Sequence, residues 1–82
     1  MTWNLRIANR VRKALARLPA KDRLALLDAL EDMSVDPFGG DIVRLKAQPT
    51  TWRRRVGAYR IFFDVSPSKL TIDIIDVRRR TY

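Results

Sequence analysis

The chain predicts an α+β domain in which two helices pack on one face of a mainly antiparallel sheet of four or five strands. Three observations predict it. Apolar residues recur with a helical period between residues 8 and 33, then with a period of two to the end. Turn residues separate the segments at short intervals. The length of 82 residues allows one compact core, so residues 1–82 are read as a single domain.

Trp3-Asn4-Leu5-Arg6-Ile7 alternates apolar and polar side chains, as a short first strand does. From Ala8 to Leu18 the apolar positions Ile7, Val11, Ala14, Leu15 and Leu18 form one helical stripe. Arg10, Arg12, Lys13 and Arg17 take the opposite face, toward solvent or a protein partner. Pro19 ends this helix or begins the next. The second helix runs from Ala20 to Met33, with Leu26, Leu27, Leu30 and Met33 expected inward. The short loop predicts an antiparallel helical hairpin. Asp36-Pro37-Phe38-Gly39-Gly40-Asp41 is turn chemistry. Strands are expected at residues 42–46, 52–56 and 59–65, with breaks at Gln48-Pro49-Thr50 and Ser66-Pro67-Ser68-Lys69. Leu70 to Val77 has apolar residues on both faces, which marks an interior strand.

The charge is unevenly placed. The chain carries a net +8; residues 1–41 hold 7 basic and 6 acidic side chains, and residues 42–82 hold 10 and 3. Thirteen of the 17 basic residues are arginine, whose planar fork suits bidentate contact with phosphate. There is no cysteine, no apolar run of membrane-spanning length and no signal-peptide-like start, so a cytoplasmic protein without membrane contact is expected. Histidine is absent and the acids lack metal-ligand spacing, so neither metal nor cofactor is expected.

The strongest local signal is Trp52-Arg53-Arg54-Arg55-Val56-Gly57-Ala58-Tyr59-Arg60. Gly57-Ala58 fits a two-residue hairpin loop of the Gly-X, type II′ kind. Pairing then sets Val56 against Tyr59, Arg55 against Arg60, Arg54 against Ile61 and Arg53 against Phe62. Paired residues share a face, so Arg53, Arg55, Arg60, Phe62 and Asp64 fall together. Trp52, Arg54, Val56, Tyr59, Ile61, Phe63 and Val65 form the apolar face, where Arg54 is expected at an edge with its head in water. Trp52 and Tyr59 read as core residues. Like charges placed opposite one another destabilise a sheet, so the arginine face calls for an anion. The terminal Val77-Arg78-Arg79-Arg80-Thr81-Tyr82 adds more arginines and a ring. Arg44, Lys46, Phe62, Arg79 and Arg80 are candidate RNA contacts, with Phe62 equally suited to base stacking or to a protein interface.

The order of strand, helical hairpin, "DP", "RLK", "WRRRVGAYRIFFDV" and terminal "VRRRTY" resembles the RelE/ParE superfamily of bacterial type II toxins, over nearly the whole chain. The resemblance implies a toxin held inactive by a cognate antitoxin. In RelE-like members it implies a metal-independent mRNA endonuclease acting at the ribosomal A site, with attack of the 2′-OH on the scissile phosphate. It implies catalytic roles for Arg53 and Arg55 on one strand, Arg60 on the next, Arg78 on the last and Tyr82 at the end. Some relatives carry lysine at the first two positions. Arginine is a poor proton acceptor, so proton transfer would fall to Tyr82 or to an acid such as Asp64. ParE-like members instead inhibit DNA gyrase through a protein contact. A non-catalytic RNA-binding module is a third reading, needing only the basic half.

Overall fold

The computed structural model describes residues 2–47 and 50–80. Its elements follow the expected order: β1 (Asn4–Ile7), α1 (Asn9–Ala16), α2 (Ala20–Val35), β2 (Asp41–Arg44), β3 (Trp52–Val56), β4 (Tyr59–Ser66) and β5 (Thr71–Arg79). The five strands form one sheet in the order β1-β5-β4-β3-β2. β1 runs parallel to β5 and every other pairing is antiparallel. β5 is interior, as its two-sided apolar pattern predicts.

Pro19 divides the helices. It sits at the N-cap of α2 with φ −54°, and its carbonyl accepts the Arg23 N–H. A proline ring already held at helical φ can begin a helix but not continue one. α1 therefore ends at Ala16, short of the expected Leu18.

The core lies between the helices and one sheet face. Val11 and Leu15 of α1 and Leu26, Ala29, Leu30 and Met33 of α2 meet Tyr59, Ile61, Phe63, Ile72 and Ile74. Burying each large side chain contributes roughly 1.5–3 kcal/mol. Leu27, expected inward, is exposed. The spacing i, i+3, i+4, i+7 from Leu26 selects Ala29, Leu30 and Met33 and turns Leu27 away from them.

β2 ends at Arg44, two residues earlier than expected, where the backbone bends toward the positive φ of Ala47 (54°). Arg54 also departs from expectation. Its side chain is 12% exposed, lies 3.9 Å from Asp32 of α2, and passes beneath Gly40. A Cβ at Gly40 would stand 2.8 Å from the Arg54 guanidinium carbon, so the glycine opens the space that covers this charge. Arg54 thus ties β3 to α2 instead of reaching into water.

The helices leave the second sheet face bare, and the side chains on that face are the arginines.

Candidate nucleic-acid interface

The β3–β4 hairpin has the register that its loop predicts: Val56 opposite Tyr59, Arg55 opposite Arg60, Arg54 opposite Ile61 and Arg53 opposite Phe62. Gly57 has φ +57° at the first loop position while Ala58 stays at negative φ, as a II′-type turn requires. Extending the pairing across the sheet gives two adjacent rows on the open face. One contains Asp41, Arg55, Arg60 and Arg78; the other contains Val43, Arg53, Phe62 and Asp76.

Arg78 and Asp76 reach this face because of a β-bulge. Phe62 pairs with Asp76 but Phe63 pairs with Ile74, so Ile75 is an additional residue in β5. Before the bulge, Ile72 and Ile74 point into the core. After it, Val77 opposite Ile61 takes the core side, while Asp76 and Arg78 take the open side. In an unbulged strand, residues 72, 74, 76 and 78 would all share one face.

Together these elements form a cleft of about 330 Å³ lined by Leu45, Lys46, Arg53, Arg60, Phe62 and Arg78. The Arg78 guanidinium lies 5.3 Å from the centre of the Phe62 ring, in cation–π range. Its Nε donates to Asp76 Oδ2 at 2.9 Å. Arg55 stands beside the cleft, with Nε 3.8 Å from Asp41. The buried Nε groups of Arg53 and Arg60 have no hydrogen-bond partner among the described residues. Burial, then the charges of Arg53, Arg80 and Arg55 in that order, pull the Arg60 guanidinium below its ordinary value. This is the electrostatic signature of cations crowded without a counterion, and an anion in the cleft would relieve it.

The other candidate residues divide clearly. Lys46 lines the cleft. Arg80 shares the parity of Arg78, its charge reaches Arg60, and its N–H bonds the Ala58 carbonyl at 2.6 Å. Arg44 and Arg79 lie on the helix-bearing side. Arg44 is paired with Trp52 and stands 5.9 Å from the centre of its ring, and Arg79 is paired with buried Tyr59. Neither of these two lines the cleft. Tyr82 lies outside the described residues. Asp64, the acid considered for proton transfer, is engaged elsewhere: its Oδ1 accepts the Thr51 N–H at 2.6 Å. Asp76 stands beside the cleft, bonded to Arg78 and paired with Phe62, both of which line it. Its placement depends on a bulge, and the only trace of that bulge in the sequence is the Ile74-Ile75 doublet, which breaks the alternation of β5.

Tyr59 and Trp52 are packing residues, as expected. Tyr59 is buried, and its hydroxyl donates to Asp22 Oδ2 of α2 at 2.8 Å. Trp52 packs edge-on against Phe38 at 5.4 Å between ring centres. Among the described residues, no group of three or more His, Cys, Asp or Glu side chains could hold a metal ion, and no helix is long and apolar enough to cross a membrane.

A family model described as the ParE toxin of type II toxin–antitoxin systems matches residues 4–81. The chain belongs to this family. The fold agrees with solved relatives. RelE in the archaeal RelE–RelB complex from Pyrococcus horikoshii OT3 is 26% identical with a TM-score of 0.86, over 98% of this chain and 97% of that one. A chain of the RelBE2 toxin–antitoxin complex from Mycobacterium tuberculosis is 24% identical with a TM-score of 0.83, over 98% and 100%. The isolated RelE toxin of E. coli is 19% identical with a TM-score of 0.79, over 98% and 86%. No curated protein sequence matches. The chain is therefore a type II toxin of the RelE/ParE superfamily, and its arginine cleft lies on the sheet face that the helices leave uncovered.

Proposed function

We propose that this toxin is a ribosome-dependent mRNA endonuclease that binds the scissile phosphate in the arginine cleft and inhibits translation. The observation that carries the reading is the convergence of Arg53, Arg60 and Arg78 around one cavity, with the Nε groups of Arg53 and Arg60 lacking acceptors among the described residues. A fold gains no stability from this arrangement, whereas a phosphate would satisfy it.

RNA supplies its own nucleophile: the 2′-oxygen gives up its proton and bonds to phosphorus as the P–O5′ bond breaks and the 5′-oxygen takes a proton, leaving a 2′,3′-cyclic phosphate and a 5′-hydroxyl. The protein must align the 2′-hydroxyl with the phosphorus, stabilise the charge developing on the non-bridging oxygens, and exclude unproductive geometries. Arg60, at the centre of its row and flanked by other cations, is the group assigned to the developing charge. Arg53 and Arg55 on β3 and Arg78 on β5 grip the phosphate from either side. Lys46 and Arg80 extend the contact along the backbone, and Phe62 offers a stacking surface. Tyr82 keeps its proposed role at the terminus. The ribosome supplies the alignment of the substrate strand. A cognate antitoxin restrains the toxin, as RelB is bound to RelE in the solved complexes.

The matching family model is described as a ParE toxin, so the second reading carried forward is the ParE-like one, inhibition of DNA gyrase without nuclease activity. One experiment separates the two. Purified toxin is incubated with programmed ribosomes and new mRNA 5′ ends are mapped; in parallel, gyrase supercoiling is measured. Wild-type toxin is expected to cut ribosome-bound mRNA and leave supercoiling intact. Arg60→Gln is expected to lose roughly 10²–10³ in cleavage rate. Intact mRNA together with blocked supercoiling would replace the nuclease by the gyrase inhibitor.

A further inference from the structure

Asp76 is the unexpected neighbour of the cleft, paired with Phe62 and bonded to Arg78, two residues that line it. A carboxylate beside a phosphate site repels the ligand, so on charge grounds alone it weakens the site. Its geometry supplies a compensating role. Asp76 and Arg78 stand at i and i+2 on one strand, hence on one face. Oδ2 accepts the Arg78 Nε–H at 2.9 Å, and Oδ1 accepts the Val77 N–H at 2.9 Å. The Asp76 side chain is 21% exposed, whereas that of Arg78 is 70% exposed. An exposed arginine on a long stem otherwise samples many rotamers. Here the backbone-anchored carboxylate takes its Nε edge and Phe62 takes its flat face at 5.3 Å. The Nη hydrogens remain for a ligand in the cleft that Arg78 lines.

We propose that Asp76 is a positioning residue: with Phe62 beneath, it holds the Arg78 guanidinium in the orientation that presents its Nη edge to the RNA phosphate. The inference rests on the nuclease reading for its effect on rate, but not for its effect on Arg78. It also gives the bulge at Ile75 a function, because without the bulge neither side chain of the pair would reach the open face.

Two measurements test it. The first is the Nε–Hε resonance of Arg78 in the purified toxin, followed by heteronuclear NMR. Wild type is expected to give an ordered, slowly exchanging signal. Asp76→Asn keeps one acceptor oxygen but turns an NH2 toward the second donor, so it is expected to retain only part of that order, and Asp76→Ala is expected to lose it. The second is cleavage on programmed ribosomes, with binding of a labelled RNA oligonucleotide alongside. Asp76→Ala is expected to lower kcat by ~10–100-fold while RNA binding tightens, because a negative charge has gone. Asp76→Asn is expected to show the same tighter binding, a kcat between those of wild type and Asp76→Ala, and an unchanged pH profile. Adding Asp76→Ala to Arg78→Ala is expected to cause no further loss. Three results would overturn the proposal: Arg78 equally mobile in wild type and Asp76→Ala, an acid limb of the pH–rate profile that disappears in Asp76→Asn, or losses at the two positions that multiply. The second of these would make the carboxylate a proton acceptor instead. A wild type that orders Arg78 but leaves mRNA intact would refute the nuclease reading and not the positioning.

Discussion

Arg60 and Tyr59 are chain neighbours on opposite sheet faces, and each has its ionisation shifted by its own side. Arg60 is pushed toward losing its proton by burial and by Arg53, Arg80 and Arg55. Tyr59 is pushed toward keeping its proton, first by its hydrogen bond to Asp22, then by burial and by the Asp22 charge, with Arg79 opposing. The first shift marks a site that awaits an anion; the second marks a closed structural contact between α2 and β4. The Tyr59 contact has a definite pH signature. Its pKa in the fold lies above the ordinary 10.0, so the unfolded chain releases this proton before the folded one does. The stabilisation is therefore complete below pH 10 and falls as pH rises through and beyond it. Tyr59→Phe keeps the ring and removes the hydroxyl. In urea denaturation it is expected to be less stable than wild type at neutral pH, with a gap that narrows above about pH 10.

Among the elements, the hairpin was legible down to its register, while β5 was legible as an interior strand but not in its bulge. A two-residue loop leaves little freedom of register, so Gly57-Ala58 was enough to place Arg53, Arg55, Arg60 and Phe62 on one face. Backbone conformation sets the requirement at Gly57: φ is +57°, and a Cβ built there would meet nothing within 4 Å. Gly57→Ala is accordingly expected to destabilise the protein by about 1–2 kcal/mol through backbone strain alone, read as a lower urea midpoint with unchanged slope. In β5, by contrast, strict alternation from Ile72 would have carried Asp76 and Arg78 to the core side. Which residue bulges is decided by the partner strand and by what each face can bury, and neither is local to the segment. Asp76 escaped notice for that reason. Arg44 and Arg79 were grouped with the site because composition counts charges without assigning faces. Arg54 was sent to solvent because neither the space opened by Gly40 nor its approach to Asp32 is visible in a strand pattern.

At the scale of the whole molecule, two helices on one side of a five-stranded sheet leave the other side as a platform, and the uneven charge of the chain puts its excess cations there. The N-terminal half supplies most of the helical core, while the C-terminal half builds most of the sheet and the cleft. If this platform binds phosphate as proposed, its salt dependence is measurable. With Arg53, Arg60, Arg78 and Lys46 each meeting a phosphate, the slope of log affinity for single-stranded RNA against log salt is expected to be roughly −3. A slope near zero in a fluorescence titration would show that RNA does not bind through these cations.

The central claim is that the open sheet face is a phosphate site for cutting mRNA, with Arg60 at its centre. The most direct measurement is the mapping of mRNA 5′ ends on programmed ribosomes with wild-type toxin and with Arg60→Gln. Discrete new ends are expected with the wild type and their near-complete loss with the variant, at unchanged or raised Tm because a crowded cation has been removed. Equal cleavage by both proteins would contradict it, as would intact mRNA with both.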